Sequence, residues 1–263
     1  MSTDPVLLEI SEGIATLTLN RPENRNSMTP EVLARFREHV AAVRADASVR
    51  IVVVTGTGAS FCAGADFRAT PAVAGGGGEG LPAERAFATY EPFLEVFELE
   101  VPTLAALNGH AVGGGLGLAL VCDLRIANRE AKYGANFARL GFHSGMAISH
   151  LLPRIVGVST AADLLFTGRL VTGEEAAAIG LVNLAVEPAR VAEVSLEKAR
   201  AIAGAAPLAV RLMKRSLYTG LGWDPRAAAW QEALAQSATL ATEDAREGIR
   251  ALLEKREPKF TGR

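Results

Sequence analysis

The sequence predicts an α/β protein: a core in which strands alternate with helices, followed by a helical C-terminal section. Two apolar runs, Ile51-Val52-Val53-Val54 and Val101 to Leu107, read as buried strands, and a glycine-rich turn follows each. Upstream of them, Leu33, Phe36, Val40 and Val43 recur at helical spacing and are expected to face the core. From about Pro188 onward, strand-like alternation all but disappears.

Taken in order, Ile14 to Leu19 alternates apolar with small or polar side chains, as a half-buried strand does. Thr29-Pro30 then opens a helix, because threonine caps free N–H groups and proline suits the first helical position. Arg50 to Thr55 is the next strand, followed by the turn Gly58-Ala59-Ser60-Phe61-Cys62-Ala63-Gly64-Ala65-Asp66-Phe67. Four successive glycines, Gly75 to Gly78, make Pro71 to Pro82 a surface loop, either an active-site lid or a length-variable connection.

The run Val101 to Leu107 feeds Asn108-Gly109-His110-Ala111-Val112-Gly113-Gly114-Gly115-Leu116-Gly117-Leu118, which reads as strand, tight turn and helix start after Gly115. Glycines admit close backbone approach, and a helix N-terminus favours negative charge; one such turn alone fits a ligand site and mere strand–helix packing equally. Ala189 to Ala203, Pro207 to Thr219, Pro225 to Thr239 and Glu243 to Glu254 read as helices. The expected division is a core over 1–187 and a helical section over 188–263, whose apolar stripes cover either a neighbouring chain or their own.

Composition narrows the function. With 263 residues, 49% of them hydrophobic, the chain can bury a sizeable core, yet no uncharged apolar run is long enough to span a bilayer. Met1-Ser2-Thr3-Asp4-Pro5 lacks the basic and apolar segments of a secretory signal, so a cytoplasmic protein is expected. Two cysteines, Cys62 and Cys122, make neither a disulfide framework nor a metal spacing. A net charge of −2 argues against nucleic acid as the main partner.

The two turns together, with Leu19-Asn20-Arg21-Pro22-Glu23-Asn24-Arg25-Asn26-Ser27-Met28, Cys122-Asp123-Leu124-Arg125-Ile126-Ala127, Leu165-Phe166-Thr167-Gly168-Arg169 and Ala176 to Asn183, resemble the signature of the enoyl-CoA hydratase/isomerase (crotonase) family. The resemblance implies β-β-α turns wound into a right-handed spiral, and a substrate that is an acyl-CoA thioester. It also implies a homotrimer or homohexamer packed through the C-terminal helices. By the same resemblance, the backbone N–H groups of Ala65 and Gly114 stabilise a thioester enolate. Arg25, Ala63, Asp66 and Phe67 line the CoA path, and Lys259 and Phe260 belong to a tail that reaches a neighbour's CoA. For Arg25 and Lys259 a solvated surface charge is the alternative, and Asp66 could instead cap local N–H groups. Coenzyme A enters as part of the substrate, with no metal or redox cofactor required.

One departure stands out. Hydratases of this family carry two glutamates for general acid–base work, and the resemblance places Gly117 and Phe137 at those positions. His143 is the leading substitute, because histidine exchanges protons near neutral pH; His110 ranks below it, and Tyr133, Ser144 and Asp123 below that. Asp123 reads more readily as a residue that fixes backbone at a strand start, while His39 and His150 look structural. The expected activity is that of an acyl-CoA enzyme working through an oxyanion-stabilised enolate: a hydratase, isomerase, hydrolase or decarboxylase. The alternative is a non-catalytic acyl-CoA-binding protein.

Overall fold

In the computed structural model, which describes residues 3–66 and 81–263, β1 (Val6–Ser11) and β2 (Ile14–Leu19) form an antiparallel hairpin. Its two-residue turn, Glu12-Gly13, holds both residues at positive φ, as tight hairpins require. α1 (Pro30–Ala45) follows, with the Thr29 hydroxyl accepting from the Val32 N–H at 3.3 Å and Pro30 in its first turn. Phe36, Val40 and Val43 are buried as their spacing requires.

Three strand pairs then build two sheets: β3 (Ile51–Gly56) with β4 (Ser60–Cys62), β5 (Thr103–Leu107) with β6 (His110–Val112), and β7 (Leu124–Asn128) with β8 (Lys132–Gly134). The first member of each pair joins a six-stranded sheet ordered β1-β2-β3-β5-β7-β10, with β10 being Leu184–Val186. The second member joins a four-stranded sheet ordered β4-β6-β8-β9, with β9 being Val171–Thr172. α2 (Pro82–Leu94) and α3 (Gly114–Val121) close successive turns, giving the β-β-α spiral. α4 (Phe137–Leu140), α5 (Ile148–Val156), α6 (Val158–Thr167) and α7 (Gly173–Ala178) lead to β10.

Both faces of the larger sheet are covered, which is why β3 is an uninterrupted apolar run. Val52 and Val54 pack with Phe36, Val40, Leu116 and Leu118. Ile51 and Val53 face the other way, toward Val191, Ala199 and Ala203 of α8 (Val191–Ala203). Beyond α8 lie α9 (Pro207–Gly220), α10 (Pro225–Leu240) and α11 (Glu243–Glu254). Among the described residues, no helix is long and apolar enough to cross a membrane.

Asp123 ties these helices to the core. One carboxylate oxygen accepts from the Thr103 N–H at 2.6 Å and the Thr103 hydroxyl at 3.0 Å, fixing the start of β5. The Lys214 ammonium sits 2.9 Å from it, and the Tyr218 hydroxyl donates to the other oxygen at 2.6 Å. At the same end of the sheet, just before β3, Arg50 donates to the Ala203 and Phe260 carbonyls at 2.9 and 2.8 Å. Asp244 accepts from the Thr261 and Gly262 N–H groups at 2.7 and 2.8 Å, pinning the C-terminal tail onto its own chain.

Two expectations shift. The run Val101 to Leu107 begins its strand only at Thr103, and a separate short strand, β6, stands between it and the triple glycine. The helix begins at Gly114 rather than after Gly115, because Gly113 at φ 58° already turns the chain as its N-cap. Phe67 and the four-glycine loop, with its lid reading, lie outside the described residues.

Candidate active site

The first turn is stitched by two asparagines. Asn26 is fully buried; its amide donates to Thr57 O at 3.0 Å and Ser60 O at 2.8 Å, while its oxygen accepts from the Arg21 N–H at 2.8 Å. Asn108 accepts from the Gly56 N–H and donates to Gly58 O, both at 3.0 Å. Their places in the motifs Leu19 to Met28 and Asn108 to Leu118 do not reveal this role. The amides replace ladder bonds that the turn lacks, a role that only the folded chain reveals.

The Ala63 N–H donates to Arg25 O at 3.1 Å and the Met28 N–H to Gly64 O at 2.8 Å, with Met28 and Ala65 in a parallel bridge. In such a bridge the bonds belong to the residues flanking Ala65, so its own N–H points away from Met28. Gly64 sits at φ 85°, where a side chain is strained. A Cβ there would also lie 2.8 Å from Val112 O and 3.1 Å from Gly114 N. The two turns therefore meet backbone to backbone.

The second turn needs its glycines for the same reason. A Cβ on Gly109 would come within 2.0 Å of Ala59 O, and one on Gly115 within 1.9 Å of Cys62 O. α3 starts at Gly114, and all eight of its residues are buried. As the first helical residue, Gly114 has no acceptor for its N–H inside the helix, and the helix dipole makes that site electropositive. Backbone N–H groups left without an acceptor in this way are the type of donor that stabilises an oxyanion.

Around this pair the neighbouring side chains are mostly apolar and carry no charge, with the Asn136 amide as a polar exception. The Phe137 ring, at the start of α4, comes 3.7 Å from where a Cβ on Gly113 would stand, and the Asn136 amide oxygen comes 3.6 Å from it. Phe137 meets Phe142 edge to face, with centroids 5.5 Å apart. At Gly117 a Cβ would stand 2.4 Å from the Met146 Cβ, itself buried. At Gly145 it would stand 2.6 Å from the Tyr90 hydroxyl.

His143 lies in the exposed loop after α4, its Nδ1 2.7 Å from the Ser144 carbonyl. A carbonyl only accepts, so Nδ1 is the donor in this contact and Nε2 is the ring nitrogen outside it. His110 is the reverse: its Nδ1 accepts from the Lys132 N–H at 2.9 Å, leaving the proton on Nε2. Tyr133 is fully buried and donates to Asn128 O at 2.9 Å, and burial pushes its phenol pKa up. His39 bonds Val6 O at 3.0 Å, and Asp123 fixes β5 as described. Both cysteines are buried, which pushes each thiol pKa up to about 12.

Arg25 and Ala63 are brought together at the first turn with Gly64, Ala65 and Asp66 beside them. Lys259 and Phe260 are not. Phe260 O is held by Arg50 at the start of β3, whereas the turns follow its far end, ~17 Å away at strand rise.

Residues 9–263 match the family model described as enoyl-CoA hydratase/isomerase. The chain belongs to that family. It is 39% identical to the (E)-benzylidenesuccinyl-CoA hydratase of Thauera aromatica, over 98% of this chain and 99% of that one. With the crotonyl-CoA hydratase of Syntrophomonas wolfei it shares 36% identity over 99% of both chains. The crystal structure of an enoyl-CoA hydratase from Bacillus anthracis superposes with a TM-score of 0.92 at 32% identity, covering 98% of this chain and 100% of that one. The crotonase-like fold and a site for acyl-CoA chemistry follow from family membership.

Proposed function

We propose that the chain is an enzyme acting on an acyl-CoA thioester through an enolate whose oxygen is held by the N–H groups of Ala65 and Gly114. The observation that carries this reading is the contact between the two turns, with Gly114 N within 3.1 Å of a Cβ position on Gly64. Arg25, Ala63, Asp66 and Phe67 accompany the CoA moiety on the first turn. Lys259 and Phe260 serve a neighbouring subunit in a homotrimer or homohexamer, because within one chain they lie at the other end of the sheet. CoA is part of the substrate, and no step of this reading calls on a metal or redox cofactor.

His143 is the proton-transfer group in this proposal, through Nε2, the ring nitrogen not engaged by the Ser144 carbonyl. Gly117 and Phe137 stand where the family's glutamates would, so hydration of crotonyl-CoA by the two-glutamate route should be slow. Each general acid–base group typically contributes about 10² to 10⁴ in rate. The apolar character of both positions also favours a second reading, a binder that holds acyl-CoA without turning it over. A mass-spectrometric screen of acyl-CoAs separates the two, since conversion of any thioester rules out the pure binder.

The donor role is tested by comparing Gly114→Pro with Gly114→Ala. Both place a Cβ where the Met28 sulfur stands 2.4 Å away, but only proline loses the N–H. Acyl-CoA binding should be about two- to tenfold weaker in the proline variant than in the alanine variant. Equal affinity in two folded variants overturns the assignment of Gly114.

A further inference from the structure

The side chains around the oxyanion turn carry information that the family's chemistry does not use. If the thioester oxygen lies against Gly114, the acyl carbons extend only a few bonds from Gly113. There the Cζ edge of the Phe137 ring stands 3.7 Å from the Cβ position of Gly113, beside the Asn136 amide oxygen at 3.6 Å. Phe142 meets Phe137 edge to face at 80°. Met146 fills the space beside Gly117 on α3, and the Tyr90 ring abuts the neighbouring Gly145. No charge is contributed by any of these side chains. What the rings and the thioether offer is π-surface and polarisable sulfur, which select for flat, apolar and preferably aromatic partners.

We infer that this site selects acyl-CoA thioesters bearing an aryl group near the β-carbon, with the ring of Phe137, backed by Phe142, as the recognition surface. The inference rests on the reading that an acyl-CoA binds at the two turns. It adds the acyl class. A ring packed against Phe137 in an offset or edge-on arrangement gains electrostatic complementarity beyond the area it buries. A saturated ring of similar size buries comparable area and lacks that term.

Three thioesters serve as probes: cinnamoyl-CoA, 3-cyclohexylacryloyl-CoA and crotonyl-CoA, with affinities measured by calorimetry on the full chain. Cinnamoyl-CoA should bind roughly two- to tenfold more tightly than its cyclohexyl counterpart. In Phe137→Leu that ratio should fall to about one, and in Phe137→Tyr, which keeps the ring, it should persist. Phenyl protons of bound cinnamoyl-CoA should also change in chemical shift through the ring current of Phe137, a wild-type measurement that does not depend on a variant folding. Equal affinity for the phenyl and cyclohexyl thioesters overturns the aryl inference and leaves acyl-CoA binding intact. So does a preference for the phenyl thioester that survives unchanged in Phe137→Leu. Failure of all three to bind overturns the acyl-CoA reading and the inference with it.

Discussion

At Gly115 a Cβ would stand 1.9 Å from the Cys62 carbonyl oxygen, and the obstacle is backbone, which no rotamer change can move. Gly115→Ala should therefore push α3 off β4 at a cost on the order of 3 kcal/mol. In thermal melts this should appear as a fall in Tm of roughly 6–12 °C, at ~2–4 °C per kcal/mol for a chain of this size. Gly117 is a different case, because its obstacle is the Met146 Cβ at 2.4 Å. Met146 itself sits at φ 59°, a conformation glycine adopts without strain. Gly117→Glu alone should thus lower Tm, and adding Met146→Gly should recover part of the loss. A double variant no more stable than Gly117→Glu would show that Met146 is not the obstruction. The glycine triplet was legible in the sequence because only close approach or positive φ accounts for such a run. Asn26 and Asn108 were not, because a polar residue inside a turn belongs to no period, and the partners of its amide lie up to 50 residues away.

The start of α1 was legible from its Thr29-Pro30 cap and apolar spacing, and the helices after Pro188 almost to their boundaries from a composition rich in Ala, Leu, Arg and Glu. β4, β6 and β8 were not: three residues are too few to show an alternation. Nor was the tie between Asp123 and α9, whose hydrogen bond to Tyr218 spans 95 residues. That tie joins side chains only 14% and 9% exposed, Asp123 and Lys214, so removing one leaves the other charged and poorly solvated. Asp123→Ala should cost about 3–5 kcal/mol, while Asp123→Ala combined with Lys214→Met should cost less than the single change, as a denaturation cycle would show. The tail is held differently. Arg256 and then the Lys259 N–H hold the Glu247 carboxyl down to about 2, against an ordinary value of 4.5. A depressed carboxylate stabilises the native arrangement above its unfolded pKa and loses that contribution as pH falls through the folded one. Exchange protection of the Lys259 amide should accordingly fade between about pH 4.5 and 2, relative to β3 amides. Glu247→Gln should abolish the step, and a wild type without one would refute the linkage.

For the whole molecule, the outer helices leave large apolar side chains uncovered in a single chain: Met213 at 68%, Trp230 at 66%, Leu252 at 78% and Leu253 at 79% exposure. Such faces mark association surfaces. Light scattering should give a mass that is a multiple of three chains, and Trp230→Glu or Leu253→Glu should lower it; a stable micromolar monomer in the wild type would defeat the assembly proposal. The bonds of Arg50 have a consequence of another kind. They close separations of 153 and 210 residues, whereas Asn26 and Asn108 reach Ser60 across 34 and 48. Loop closure costs about 0.6 kcal/mol more for each doubling of length, so the short closures come first. The machinery of the turns should assemble while the tail is still loose. In pulsed hydrogen exchange during refolding, amides of β3 and the first turn should gain protection before those of Thr261 and Gly262, and the reverse order would mean that the far end of the sheet organises the near one.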